Sequence, residues 1–301
     1  MKSVEYKKEA IAITANENER IAVAQGIEMI NAEELIHHDS TVVISPNWVN
    51  SKKPDPSSGV TVGTDTFSFM LQWIKKKKPK RMIVGSGSGN GDTTGVMKAL
   101  GYDRIIKEEG FEFIDFNIGP YMEIELNHSK PKKIKVNEIM KEMTVFISFT
   151  QLKFHEEATM SAAIKNMALT WPSTEEQGAP KKNLGIHEDL HGFISAMAEK
   201  VPVHLSVVSG NPAMVGTGPT KGIPKHTGIV ICGNNPVGTD AVCARLLGFK
   251  PQAIHYLYLL SQKGIGESDV SKLNIMGLSI QEAENLFSQK VYGESIVVDS
   301  E

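Results

Sequence analysis

The sequence predicts an α/β fold with a Rossmann-like, mostly parallel sheet flanked by helices. Two features indicate this fold. Short apolar runs of strand length alternate with longer segments whose apolar residues recur at helical spacing, and several of these runs end at glycine-rich loops. Because parallel strands need a crossover that is usually a helix, this alternation favours a parallel sheet.

The first part of the chain alternates regularly. In the segment 16–35, for example, Ile21, Ala24 and Ile27 recur near helical spacing, and an apolar strand-like run lies on either side of the segment. The predicted strands are 10–14, 41–45, 81–85 and 111–116, and the predicted helices are 16–35, 64–77 and 93–110.

The middle of the chain differs, because 121–126 and 132–136 are short, β-like and separated by a turn-rich segment, which is typical of a hairpin or an edge excursion. A length of 301 residues fits one large or two ordinary domains. We predict two α/β halves, 1–125 and 126–301, with one continuous domain as the alternative. The second half is predicted to contain strands 144–149, 203–208, 228–232 and 272–276, helices 159–170, 186–200, 240–247, 253–261 and 280–288, and loops 172–184 and 209–224.

Composition excludes several classes of protein. A net charge of -3 offers no field that would attract nucleic acid or an anionic membrane, so neither is expected as a partner. Two cysteines cannot form a disulfide framework or a four-cysteine iron–sulfur cluster. No apolar run approaches the length of a membrane span, and no apolar signal core follows the N-terminus. We therefore predict a cytoplasmic protein, and a homodimer is the base-rate expectation.

Two glycine-rich segments, 85–92 and 209–219, each follow a predicted strand. In an open α/β sheet ligands bind beyond the carboxyl ends of the strands, so both are candidates for ligand contact. The first segment matches neither of the two common phosphate-binding motifs, GxGxxG and the P-loop. A plain tight turn is the alternative for the first. The candidate ligand-binding residues in the two segments are Ser86, Gly87, Gly210, Asn211 and Gly218.

The segment His187-Glu-Asp-Leu-His191 matches the pattern H-E-x-x-H. On a helix, the two histidines would share a face and could bind zinc or another divalent metal, with Glu188 as general base. The extended zinc pattern fails at Ile194 and Met197, where it needs glycine and histidine. The alternative is a pair of hydrogen-bonded histidines beside a buried helix face.

Polar residues near predicted strand ends form a second candidate site. His155 follows strand 144–149, and Lys165 and Asn166 lie in an otherwise apolar helix. A partly buried lysine would have a lowered pKa suited to acid–base work, whereas a surface lysine is the alternative. Asp240 opens a helix, where an acid complements the helix dipole, so a purely structural role is equally open.

Over roughly residues 40–280 the chain resembles the family known as domain of unknown function 362. The family's Lys-Pro-Asn signature is similar to Ile44-Ser-Pro-Asn47, which retains Asn47, and its Lys-x-His and Lys-Asn signatures are intact. Serines stand where the family has one lysine and two acids. The matching segments are Ile44–Asn47, Val84–Ser86, Leu100–Tyr102, Lys153–His155, Lys165–Asn166, His187, Ser209–Gly210, Gly216–Pro219 and Gly238–Ala241.

The resemblance implies a Rossmann-like α/β fold but no established reaction or substrate. Family members often carry ferredoxin-type iron–sulfur modules, whereas this chain lacks the cluster cysteines, so no cluster of its own is expected. The leading hypothesis is an enzyme acting on a small polar or anionic molecule, its cofactor unknown. His155 would be a general acid/base or metal ligand, Lys165 would hold an anion or shift protons, and Asn47 and Asn166 would orient the ligand. His187 and Asp240 would complete this polar cluster.

Two alternatives come from other functional classes. The lost acids and the absent ferredoxin module also fit a non-catalytic binding or scaffold protein that serves an iron–sulfur or redox partner. The third hypothesis is a zinc hydrolase that uses His187, Glu188 and His191.

Overall fold

The computed structural model describes residues 9–49 and 56–298. Within these residues ten strands form one sheet and two more form a separate hairpin, which pairs 121–125 with 133–137 as predicted. The strands are β1 (Ile11–Ala15), β2 (Thr41–Pro46), β3 (Arg81–Ser86), β4 (Glu112–Asp115), β5 (Tyr121–Glu125), β6 (Lys133–Asn137), β7 (Val145–His155), β8 (Thr159–Ser161), β9 (Leu205–Val215), β10 (Ile223–Lys225), β11 (Ile229–Gly233) and β12 (Ile275–Gly277).

Helices connect most of these strands. None of those in 9–49 and 56–298 is both long and apolar enough to span a bilayer. The helices are α1 (Glu19–Met29), α2 (Thr64–Lys76), α3 (Thr93–Ala99), α4 (Tyr102–Glu109), α5 (Ala163–Thr170), α6 (Thr174–Gln177), α7 (Leu190–Ala198), α8 (Pro236–Leu246), α9 (His255–Gln262) and α10 (Ile280–Tyr292).

The strand order along the main sheet is β12-β1-β11-β9-β7-β2-β3-β4. β11 is antiparallel to both of its neighbours, and every other pairing along this path is parallel. Two short strands, β8 and β10, add antiparallel edges to β7 and β9. The prediction of a mostly parallel α/β sheet flanked by helices is therefore confirmed. Strands of both predicted halves, 1–125 and 126–301, lie in this one sheet.

The two faces of the sheet bury two separate apolar cores. Successive strand residues point to opposite faces, so Phe146 lies in one core and Ile147 in the other. Helices α1 to α4 cover the face that holds Ile147, and α5 together with α7 to α10 covers the face that holds Phe146. Because both faces are covered, the central strands are buried on both sides, as in β2, whose residues are all buried although Thr41 and Ser45 are polar.

Several predicted boundaries are wrong. The predicted helix 93–110 is two helices, because Gly101 has a φ of 73° and interrupts it. The first residues of the predicted helix 159–170 instead form β8. The predicted loop 209–224 is largely extended, since β9 continues to Val215 by pairing with β7 and then with β10.

Candidate functional site

A cavity of about 370 Å³ lies at the carboxyl ends of β2, β3 and β7. The chain runs from β2 outward to β3 and β4, and then returns to place β7 on the other side of β2. Strand order therefore reverses between β2 and β7, and such a point leaves a crevice at the carboxyl edge of an open α/β sheet. The topology therefore makes this crevice a candidate ligand site.

Four lysines are among the described residues that line this cavity. Lys153, Lys165 and Lys181 line it with exposed fractions of only 1%, 8% and 5%, whereas Lys182 is exposed at the rim. Two glutamates, Glu156 and Glu157, also line the cavity, but both are exposed. The buried charges of the described lining are thus positive, which makes the interior of the cavity attractive to an anion.

Lys153 and Lys165 reach the cavity from different elements, β7 and α5. The pairing of β7 with β9 shifts register between Gln151 and Lys153, and such bulges re-aim side chains at sites. Lys153 then donates from Nζ to the carbonyl oxygen of Val60 at 2.9 Å. Lys165 lies in the first turn of α5, and its Nζ has no hydrogen-bond or ion-pair partner among the described residues.

Burial disfavours the ammonium form of these side chains. It lowers the pKa of Lys153 to about 7, with repulsion from Lys165 as a further cause. Burial likewise lowers the pKa of Lys165 to about 8, against the opposing attraction of Glu157, and that of Lys181 to about 7. The prediction of a buried lysine with a lowered pKa at position 165 therefore fits the structure.

His155 lines the cavity as a neutral imidazole. Its Nδ1 accepts hydrogen bonds from the backbone N–H groups of Glu157 and Ala158, so the ring proton is on Nε2. Burial, followed by repulsion from Lys165 and Lys153, lowers the pKa of His155 to about 2. His155 is consequently a hydrogen-bond donor through Nε2. Of its predicted roles as general acid/base or metal ligand, general base and metal ligand would both need a free lone pair on that nitrogen.

Both predicted asparagines lie at the cavity and are engaged with backbone. The side chain of Asn47 donates to the carbonyl oxygen of Val60 and accepts from the N–H of Val62, so it fixes the loop that also binds Lys153. Asn166 donates to the carbonyl oxygen of Ser45 and to the hydroxyl of Ser148, which ties α5 to the ends of the strands. Ser86 also lines the cavity.

Asp240 does not reach the cavity, which corrects its predicted catalytic role. It is fully buried, and its carboxylate accepts from the N–H groups of Ala163 and Ile164 and from the hydroxyl of Tyr256. The residue before α5, Ala162, cannot cap the helix with its own side chain. Asp240 supplies this cap from α8, and it thereby positions Lys165, the next residue of the same turn.

Gly87 and Lys181 form a close contact at the side of the cavity. Lys181 donates from Nζ to the carbonyl oxygens of Gly87, Leu169 and Thr170 at 2.9, 3.3 and 3.4 Å. The N–H of Gly87 donates to the hydroxyl of Thr170. The loop after β3 is thus fastened to the end of α5, and Lys181 uses its protons in doing so.

A side chain at position 87 is expected to disrupt this contact. A Cβ there would lie 2.4 Å from the carbonyl oxygen of Thr170 and 3.0 Å from Nζ of Lys181. We expect Gly87→Ala to lower the free energy of unfolding by about 1–3 kcal/mol in urea denaturation. Gly89→Ala is the matched control, since a Cβ at that position meets nothing within 4 Å. Equal effects of the two substitutions would contradict this account of Gly87.

The two histidines of His187-Glu-Asp-Leu-His191 do not form the predicted helical pair. Helix α7 begins only at Leu190, because the side chain of Asp189 accepts from the N–H of Gly192 and caps the helix there. Nδ1 of His187 contacts the carboxylate of Glu157 at 2.6 Å, at the rim of the cavity. Nδ1 of His191 instead accepts from the N–H of Tyr256.

The part of the chain described by the structure contains no group of three or more His, Cys, Asp or Glu side chains that could hold a metal ion. The arrangement of His187 and His191 therefore does not support the zinc-hydrolase hypothesis. His187 remains a residue of the cavity rim, where a hydrogen bond to Glu157 orients it.

The residues predicted in the second glycine-rich segment lie outside the described cavity lining. Gly210 belongs to β9. Asn211 bonds the backbone of Glu17 and the ring of His226. Gly218 packs against the end of β7, since a Cβ there would lie 1.9 Å from the carbonyl oxygen of Phe154. The neighbouring Pro219 and Thr220 do line the cavity, so Gly218 allows this loop to close against it.

The sequence analysis does not assign a site role to Lys153 or Lys181. Lys153 has a recognisable signal, since it stands in a long apolar run that becomes β7. Lys181 has none, because it follows a proline in a polar loop. Its amine is bound by the carbonyl oxygens of Gly87, Leu169 and Thr170, and the sequence around Lys181 does not indicate these contacts.

Three similarities to known proteins accompany this geometry. The sequence profile of the domain of unknown function DUF362 matches residues 42–245. A thylakoid-associated protein of Synechocystis sp. is 21% identical over 221 residues, which are 71% of this chain and 64% of that protein, so the chain spans less than two thirds of the relative. The lactate racemase apoprotein of Thermoanaerobacterium thermosaccharolyticum is 19% identical, with a TM-score of 0.41 over 68% of this chain and 50% of its own.

Proposed function

This chain belongs to the DUF362 family, and from the geometry of its cavity we propose that it binds a small anionic molecule at the carboxyl ends of β2, β3 and β7. The observation that carries the proposal is the presence of two buried lysines, Lys153 and Lys165, that no buried carboxylate of the described lining neutralises. A buried, unpaired ammonium group is costly in the absence of a ligand. Such a group is retained where a ligand supplies the missing charge.

The available donors agree with an anion. Lys153 uses one hydrogen bond on Val60, and Lys165 uses none among the described residues, so both can donate to a bound carboxylate or phosphate. The Nε2–H of His155 adds a neutral donor. Apolar lining from Trp48, Val49 and Leu169 would favour a ligand with a small carbon skeleton over a bare inorganic ion.

Isothermal titration calorimetry with acetate, glycolate, 2-hydroxyglutarate and inorganic phosphate tests the proposal. We expect at least one of these anions to bind at pH 6.5, where both lysines carry charge, and its affinity to fall as the pH rises through 7 and 8, because anion binding then requires proton uptake.

Lys153→Met should weaken that binding at least tenfold, whereas Lys141→Met should leave it unchanged, because Lys141 only pairs with Glu138 at the surface. Equal affinities of the wild type and the Lys153→Met variant would reject the cavity as the anion site.

A further inference from the structure

We propose that Lys165 forms a reversible imine with the carbonyl carbon of a small 2-oxo acid bound in this cavity. The inference rests on the proposed anion binding and adds a covalent step to it. The anion site would then select not only a negative charge but also a reactive carbonyl group beside that charge.

Among the three buried lysines that line the cavity, Lys165 is the one whose amine has no hydrogen bond within the described residues and is therefore free to react. Lys181 is held by three carbonyl oxygens, and Lys153 is tied to the carbonyl oxygen of Val60. Nζ of Lys165 has no such partner among residues 9–49 and 56–298, although the side chain is 92% buried and lines the cavity. Such an amine can react with a ligand in the cavity without first breaking a hydrogen bond within the protein.

The surroundings of Lys165 also favour the neutral amine, the form that attacks a carbonyl. Burial is the main cause and lowers its pKa to about 8. Two charged groups near Lys165 have opposite effects on it. The exposed carboxylate of Glu157 favours the protonated form of Lys165, whereas repulsion between the ammonium groups of Lys153 and Lys165 disfavours it. His155 is neutral and contributes no charge.

The chemical step balances without any further reagent. The lone pair of Nζ attacks the carbonyl carbon, so that a carbon–nitrogen bond forms and the carbonyl π electrons move to oxygen. The carbon–oxygen bond then breaks, and the oxygen leaves with the two Nζ protons as one water molecule. The product is an imine, nothing is oxidised or reduced, and added water reverses the step.

A 2-oxo acid matches the arrangement of charges around Lys165. Its carboxylate is adjacent to the carbonyl carbon, and Lys153 is the neighbouring buried cation that can hold it. The Nε2–H of His155 can donate to the carbonyl oxygen, which polarises the bond that Nζ attacks. A hydroxy acid of the same size would make the same charge contacts but could not form the imine.

Reductive trapping tests this step. The purified chain is incubated at pH 7, where part of Lys153 is still charged and a fraction of Lys165 is already neutral, with sodium cyanoborohydride and either glyoxylate or 2-oxoglutarate. The modified lysines are located by peptide mass spectrometry. We expect one of the two acids to modify Lys165 at least tenfold more than any other lysine. The Lys165→Arg variant keeps a positive charge but has no nucleophilic amine. It should lose the modification at position 165, while the background modification of the other lysines stays the same.

Parallel calorimetry with glycolate and 2-hydroxyglutarate separates this inference from the proposed function. If these hydroxy acids bind but neither oxo acid is trapped at Lys165, the imine is rejected and the anion site stands. Labelling spread evenly over surface lysines also rejects the imine. If nothing binds and nothing is trapped, both proposals fail. Trapping of Lys153 in place of Lys165 would show that the assignment of the nucleophile is wrong.

Discussion

Replacing Lys165 with methionine is expected to weaken anion binding about 100-fold and to raise the free energy of unfolding at pH 7 by about 3 kcal/mol. Both effects have one cause, since the buried ammonium binds the ligand but is poorly solvated without it. Methionine has a similar length, and its introduction orphans no partner among the described residues. A gain in stability at the expense of binding is typical of a residue kept for function.

The gain in stability has a defined pH dependence. The pKa of Lys165 is about 8 in the folded chain and 10.5 for an unperturbed lysine, so the folded state binds fewer protons than the unfolded state between these values. The destabilisation by Lys165 is therefore complete below pH 8 and disappears as the pH rises towards 10.5. The difference between the variant and the wild type should shrink over the same range.

Urea denaturation at pH 7, 8, 9 and 10, together with calorimetry of the anion, measures both effects. Lys141→Met is the matched control, because it removes an exposed lysine and should change stability by less than about 1 kcal/mol. A Lys165→Met variant that is less stable than the wild type at pH 7 would show that the ammonium has a structural partner, and the argument from an unpaired charge would then fail.

Replacing Asp240 with alanine is expected to lower the free energy of unfolding by about 3–5 kcal/mol. The change would leave the buried N–H groups of Ala163 and Ile164 and the hydroxyl of Tyr256 without their acceptor. Because the N–H groups of Ala163 and Ile164 begin α5, the variant should also bind the anion more weakly, although Asp240 does not contact the cavity.

Asp269→Ala provides the control for this prediction. Asp269 also caps the start of a helical turn, by accepting from the N–H of Ser271, but this hydrogen bond is exposed to solvent. Its loss should lower the free energy of unfolding by about 1 kcal/mol. Urea denaturation of both variants, followed by calorimetry of the folded fraction of Asp240→Ala, measures the difference. If the two substitutions cost the same, the buried cap of α5 contributes less than the structure implies.

Much of the fold follows from patterns that are local in the sequence. The alternation of apolar runs and helical spacing predicts the parallel sheet, because a strand buried on both faces is mostly apolar, as in the run Val42–Ile44 of β2. The boundaries fail where a distant partner decides them. β9 continues through Gly210 because β7 and β10 pair with it, and no periodicity in the segment 209–215 signals that pairing.

For the candidate site, the sequence predicts a histidine, a lysine and an asparagine near the strand ends, since His155 follows an apolar strand and Lys165 and Asn166 lie in an otherwise apolar helix. The protonation and hydrogen bonding of such residues depend on the tertiary structure. The burial of Lys181 depends on Gly87, 94 residues away, and the cap of α5 comes from Asp240, 77 residues from Ala163. Desolvation and hydrogen bonding are set by which distant groups surround an atom, and these surroundings exist only once the sheet has brought its edges together.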